Sequence, residues 1–295
     1  MTAMSVYHPL LEGAIDLHVH SSPSVFARKQ TDWELVEEVK AAKMAGVVIK
    51  SHEAPTTDRT ALIRMKEPNL HVYGGLVCNH FVGGLNPSAV EVAIQSGAKI
   101  IWMPTISSAE HHNYFANRKT RLFQTARALK RQPPLSVLDE NGRLKEEVHE
   151  ILDLIARADI ILATGHLAPQ EVLVLVEAAR EHRVQKILIQ HTDLEIARIP
   201  LELERKLVSR GAMVEKCFLA LSDDFKGSVT PEEMAESIRV LEAEACVMVT
   251  DYGQAHHESP VRALHRFVEL MLEHGITECQ IRQMIVHNPK GLLGL

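Results

Sequence analysis

The chain has 295 residues, of which 46% are hydrophobic and 24% charged, proportions that suit an ordinary globular enzyme and exclude a disordered or fibrous chain. A net charge of −6 with no basic block lacks the electrostatic footprint of a nucleic-acid binder, so no polyanionic partner is expected. No run of eighteen apolar residues occurs, and residues 1–12 lack a cationic start followed by an apolar stretch, so neither a membrane span nor export is expected.

In chain order, short Val- and Ile-rich runs predict strands over residues 14–20, 46–52, 71–80, 99–105, 159–166, 186–191, 212–218 and 246–251. Longer amphipathic stretches between them predict helices over 32–45, 87–96, 169–182, 194–210 and 231–244, several opening with Pro, Asp or Thr as helix starts prefer. This alternation is that of βα units around a parallel sheet, and the chain length matches one such barrel, so the expectation is an α/β fold, a (β/α)8 barrel over residues 1–295 as one domain. The connection over residues 106–158 is too long for a plain crossover and predicts an insertion between strands four and five. Within it, residues 136–145 carry Asn141-Gly142 between apolar residues, the mark of a hairpin turn, and a helix over 145–157 follows. From residue 261 onward the pattern is that of helices packed outside the barrel. The cysteines Cys78, Cys217 and Cys246 lie in the apolar runs and Cys279 far from them, the usage of reduced thiols in a cytoplasmic protein.

Strand alternation places chemistry on this frame. In the first strand Asp16, His18 and His20 share a face, opposite Ile15, Leu17 and Val19. The same parity predicts inward columns Ile160, Leu162, Thr164, His166 in the fifth strand, Ile187, Ile189, His191 in the sixth, and Val247, Val249, Asp251 in the eighth. Barrel active sites lie at the C-terminal strand ends, so His18, His20, His166, His191 and Asp251 are expected to converge there. Imidazoles with one carboxylate suit zinc or a similar divalent transition metal rather than magnesium or calcium. Asp251 would both touch the metal and accept a proton from an activated water. Asp16 reads as an orienting or capping residue. His80 shares the face of Leu76 and Cys78 and is a candidate substrate contact, as is Lys50 on the face of His52. Glu110, His111, His112, His256 and His257 lie in rim loops, where a solvated role competes with substrate contact. One of Arg28, Lys29, Arg118, Lys119 and Arg121 could hold an anionic substrate group, and Arg28 is the candidate retained.

The runs Ile15-Asp-Leu-His-Val-His20, Thr164-Gly-His166, Gln190-His-Thr-Asp193, Thr250-Asp251 and His287-Asn-Pro-Lys-Gly-Leu-Leu293 resemble the amidohydrolase superfamily, in particular its phosphotriesterase-like branch. Lys50-Ser-His52 and Trp102-Met-Pro-Thr105 are also similar to a group of prokaryotic proteins of the same superfamily whose activity is uncharacterised. The resemblance implies one or two divalent metals held by His18, His20, His166, His191 and Asp251. It also implies a lysine or glutamate at the end of strand four in two-metal members, where this sequence has Trp102-Met-Pro-Thr105. One ion is therefore expected, with His52 and Glu215 as the residues that would complete a second.

The leading expectation is hydrolysis of an ester, lactone, amide or phosphoester bond of a small molecule. A mononuclear-metal decarboxylase or hydratase is the alternative, and a binding barrel without catalysis the third. A homo-oligomer, most often a dimer, is the default for a soluble enzyme.

Overall fold

The computed structural model describes residues 7–120, 122–127, 129–130 and 132–295. Eight strands follow one another around a single sheet in the order of the sequence: β1 (Ile15–Val19), β2 (Gly46–Ile49), β3 (His71–Val77), β4 (Ile100–Trp102), β5 (Ile161–Ala163), β6 (Ile187–Ile189), β7 (Met213–Cys217) and β8 (Cys246–Val249). Every neighbouring pair is parallel. The sheet closes where Asp251 N donates to the His18 carbonyl and His20 N to the Tyr252 carbonyl, both at 2.8 Å. This is the expected (β/α)8 barrel.

Helices α1 (Asp32–Ala41), α2 (Thr57–Lys66), α3 (Pro87–Gln95), α4 (Ala109–Phe115), α5 (Glu146–Ala158), α6 (Pro169–Glu181), α7 (Leu201–Ser209), α8 (Pro231–Leu241) and α9 (Pro260–Glu273) intervene or follow. Their starts are written in short motifs. Thr31 and Glu34 form a reciprocal capping box on α1, as Thr230 and Glu233 do on α8, where Pro231 also opens the first turn. Helix α5 buries one stripe, Val148, Ile151, Leu152 and Ile155, the spacing that keeps side chains on one face. The C-terminal helices α10 (Glu278–Arg282) and α11 (Asn288–Leu293) close the barrel's lower end, where Asn288 Nδ2 donates to the carbonyls of Ala243 at 2.7 Å and Cys246 at 2.6 Å.

The insertion after β4 is present. It contains α4 and then a tight turn in which Leu138 and Leu144 bridge antiparallel, Asp139 N donates to the Arg143 carbonyl at 2.7 Å, and Gly142 takes the left-handed conformation at φ 74°. Arg121 lies outside the described residues.

Strand parity needs correction in β5 and β6. Leu162, Ile187 and Ile189 pack outward against the apolar stripes of α5 and α6. Ala163 and Leu188, which are paired in register, face the interior instead. His166 and His191 nonetheless reach the mouth because the two-residue alternation ends with the strands. Gly165 at φ 64° and His191 at φ 57° turn the chain through the left-handed region and re-aim the next side chains. Gly165 is required for this, since a Cβ there would lie 2.4 Å from the Met103 carbonyl oxygen.

Candidate metal centre

At the C-terminal mouth of the barrel, buried side chains from β1, β6, β7 and β8 meet. His18 Nε2 and His20 Nε2 both lie 2.9 Å from Asp251 Oδ1, and His191 Nε2 lies 3.9 Å from Asp251 Oδ2. His18, His20 and His191 are at most 1% exposed and Asp251 is 7% exposed, so little water reaches these groups. His166 joins the group edge-on to His191, with ring centroids 4.8 Å apart.

The hydrogen bonds around the ring decide which nitrogen of each imidazole is free. His20 Nδ1 lies 2.8 Å from the Lys50 carbonyl oxygen, which can only accept. His18 Nδ1 lies 3.2 Å from Glu215 Oε2, a carboxylate that also only accepts. Both Nδ1 atoms therefore carry a proton. Neutral His20 then presents an Nε2 lone pair to Asp251, while His18 Nε2 lies between Asp251 Oδ1 and Lys50 Nζ, 2.9 and 3.0 Å away. This donor set fits a divalent transition metal.

Burial lowers His18, but the carboxylates of Asp251 and Glu215 outweigh it and raise the imidazole to about 8. Burial likewise raises Asp251, and the His18 charge with hydrogen bonds from His18 and His20 overrides it, holding the carboxyl well below its ordinary range. His20 and His166 are pushed well below the usual imidazole range by burial first, and His191 to about 4. The site thus gathers the Asp251 and Glu215 carboxylates around His18, among otherwise neutral imidazoles.

Glu215 and Lys50 stand behind these groups. Glu215 is fully buried, faces His18 Nδ1, and lies 3.4 Å from His191 Nδ1, too poorly aimed there for a hydrogen bond. Gln190 Nε2 donates to Glu215 Oε2 at 3.0 Å across the barrel interior. A carboxylate holding the Nδ1 side of a ligating histidine fixes the ring and raises its basicity; Glu215 also forms a candidate ligand group with His18 and His191, their atoms within 4.8 Å of one another. Glu215→Ala is expected to weaken metal binding about 10–100-fold while leaving stoichiometry at saturating metal unchanged. Loss of one ion per chain on titration would instead make Glu215 a ligand.

Lys50 is enclosed in the interior, its Nζ 3.0 Å from His18 Nε2 and 5.6 Å from the centre of the Trp102 ring. It lies beneath the histidine cluster and does not line the cavity above it, where the sequence placed it as a substrate contact. His52 stacks on His20 at 5.0 Å and lines that cavity, its Nδ1 2.9 Å from Thr105 Oγ1. His80 is a correction: Leu76 and Cys78 pack among the outward residues, and His80 Nε2 donates to the Pro133 carbonyl at 2.6 Å, in a separate groove of the insertion. Glu110, on α4, belongs to none of the histidine–carboxylate groups among the described residues. Asp16 accepts from Thr250 Oγ1 at 2.6 Å and from His18 N at 3.0 Å, and so ties β1 to β8.

Sequence reasoning missed several residues here. His111 Nδ1 lies 3.0 Å from His166 Nδ1, with the rings stacked; its place on the rim was legible, its inward burial was not. Cys217, read as a small apolar residue, has its sulfur grouped with the ligand atoms of His191 and Asp251, all within 4.8 Å of one another. Gln190 carried no signal, because alternation had assigned the opposite face inward. On the outer rim, His256 and His257 direct Nε2 at Asp224 Oδ2, at 2.6 and 2.7 Å. Arg118 stacks on Tyr114 beside an exposed ion pair with Glu195 at 3.8 Å, and Lys29 and Lys119 are exposed. Arg28 lines the cavity.

The architecture is that of solved amidohydrolase-type barrels. An amidohydrolase from Pseudomonas aeruginosa superposes with a TM-score of 0.64 at 14% identity, covering 97% of this chain and 96% of that one. The phosphotriesterase homology protein from Escherichia coli, complexed with phosphate in its active site, gives 0.60 at 12% identity, covering 96% and 99%. 2,6-Dihydroxybenzoate decarboxylase from Rhizobium gives 0.57 at 10% identity, covering 96% and 99%. Comparison with curated proteins gives no match. Over residues 13–215, more than two thirds of its length and including the β1 histidines, His166, His191 and Glu215, the chain matches a defined sequence family and belongs to it: the family of unknown function DUF6282.

Proposed function

We propose that this protein is a metal-dependent hydrolase acting on an ester, lactone, amide or phosphoester bond of a small molecule, with zinc as the metal and His18, His20, His166, His191 and Asp251 around it. The observation that carries this reading is the convergence of His18 Nε2 and His20 Nε2 on one oxygen of Asp251, with the Nδ1 sides of both rings already occupied. A bound transition metal supplies Lewis acidity, which polarises a carbonyl or phosphoryl oxygen and brings water into the range of neutral-pH deprotonation. Asp251, kept ionised, accepts the proton from the attacking water through the oxygen it does not share with His18 and His20. Phe123, Leu194, Ile196, Leu219 and Phe225 wall the site and limit bulk water, which strengthens each electrostatic contact.

Metal analysis of the purified protein, then chelation and reconstitution before a screen of esters, lactones, amides and phosphoesters in 18O-water, tests it. Metal-dependent turnover with label in the product is the expected result, and a protein that neither retains nor takes up a transition metal would remove the proposal. A second reading is favoured by Trp102, whose fully buried ring fills the end of β4 where a bridging ligand would stand. A single-metal decarboxylase would release carbon dioxide without incorporating the label.

A further inference from the structure

The cavity above the metal residues has one cationic group in its lining among the described residues, Arg28, in the segment after β1. Its guanidinium approaches Ser24 Oγ through Nε at a long 3.4 Å and lies 5.6 Å from the Phe26 ring centre. Its Nη2 is buried without a hydrogen-bond partner, and the Glu53 and Asp251 carboxylates act on the guanidinium by charge alone. A buried guanidinium nitrogen left unsatisfied is costly, and such groups persist where something outside the resting chain completes them. Burial lowers this arginine only to about 10, so it stays cationic at neutral pH.

The rest of the cavity is of opposite character. Phe123 from the insertion, Leu194 and Ile196 from the segment after β6, and Leu219 and Phe225 from the segment after β7 form the apolar walls of a small cavity. His20, His191 and Asp251 line the same cavity. We infer that the substrate is a small monoanionic carboxylic acid with a compact aromatic or branched apolar body, its carboxylate held by Arg28 and its reacting bond turned toward the metal residues. A planar carboxylate matches the guanidinium fork. A phosphate dianion would call for a second cation in the lining, and Lys50 is walled off below. This inference rests on the proposed metal centre for where the reacting bond sits, but the carboxylate anchor does not.

Calorimetric titration of the full-length protein with benzoate, benzamide and phenyl phosphate, in chelator-treated and metal-reconstituted forms, tests it. Benzoate is expected to bind the wild type in both forms. Arg28→Met should weaken it about tenfold or more, Arg28→Lys less, and benzamide should not distinguish wild type from Arg28→Met. The long Ser24 contact is the polar bond that Arg28→Met gives up, and matching melting temperatures would show that the fold is kept. Equal benzoate affinity in wild type and Arg28→Met, or no benzoate binding by either form of the wild type, overturns the anchor. Benzoate binding that disappears on chelation places the carboxylate on the metal instead, and phenyl phosphate binding more tightly than benzoate overturns the monoanion. If the protein proves to take no metal, Arg28-dependent binding should persist, which separates failure of the metal centre from failure of this inference.

Discussion

Asp251→Asn is expected to release the metal and to lower kcat/KM by about a thousandfold or more, combining loss of a charged ligand with loss of a general base. The residue is at the centre of the site: its Oδ1 is shared by His18 and His20 at 2.9 Å, its other oxygen faces His191, and its backbone N–H closes the barrel on the His18 carbonyl. Its backbone is left-handed, at φ 56°. Asparagine tolerates that conformation better than alanine, so this substitution removes the charge with little disturbance to the turn. His166→Ala and His191→Ala should show the same joint loss of metal and activity. Elemental analysis of the dialysed variants, beside their unfolding curves, is the measurement, and wild-type metal content in all three would end the assignment.

The second large effect concerns stability. Lys216 is fully buried on the outer face of β7, its Nζ 3.0 Å from Glu204 Oε1, 3.3 Å from Asp193 Oδ1 and 3.4 Å from Thr192 Oγ1. Burial lowers this lysine, and the two carboxylates outweigh that and raise it, so the ammonium is retained. Lys216→Met removes the cation and leaves two carboxylates in the dry space between β7, α7 and α8, which is expected to cost about 3–5 kcal/mol. Denaturant unfolding would register this as a lower midpoint with an unchanged slope. Replacing Asp193 and Glu204 with apolar residues in the same chain should recover most of the loss, since a buried ion network is often no better than well-packed hydrocarbon. An unchanged midpoint in Lys216→Met would show that the network is not under such tension. Because Thr192 and Asp193 follow His191 directly, weaker metal binding should accompany the loss.

The barrel was legible from the sequence because Val- and Ile-rich runs alternate with helical stripes throughout, and the β1 pair was legible because His18 and His20 fall within the alternating part of a strand. His166 and His191 do lie at the mouth, but not through the face that alternation assigned: Ala163 and Leu188 line the interior, and left-handed residues after the strand ends undo the alternation. A φ angle leaves no periodic trace in sequence. The expected helix over 194–210 starts only at Leu201, since Leu194 and Ile196 are apolar because they wall the cavity, and Pro200 sets the boundary. Helix α2 buries only Thr57, Thr60 and Ile63 and so shows no hydrophobic stripe to read. Glu215 was read from the sequence as a residue that would complete a second ion, whereas its contact with the back of His18 depends on which strands lie across from one another.

The segment after β4 reaches the site from outside the eightfold repeat, sending His111 against His166 and Phe123 over His52. The histidines and Asp251 sit on strand ends that must keep their places for the barrel to close, while part of the wall above them comes from an excursion of the chain that the barrel does not need. Replacing that excursion would reshape one side of the cavity without rebuilding the strand ends below, so such a site can be remodelled from that side at little cost to the fold.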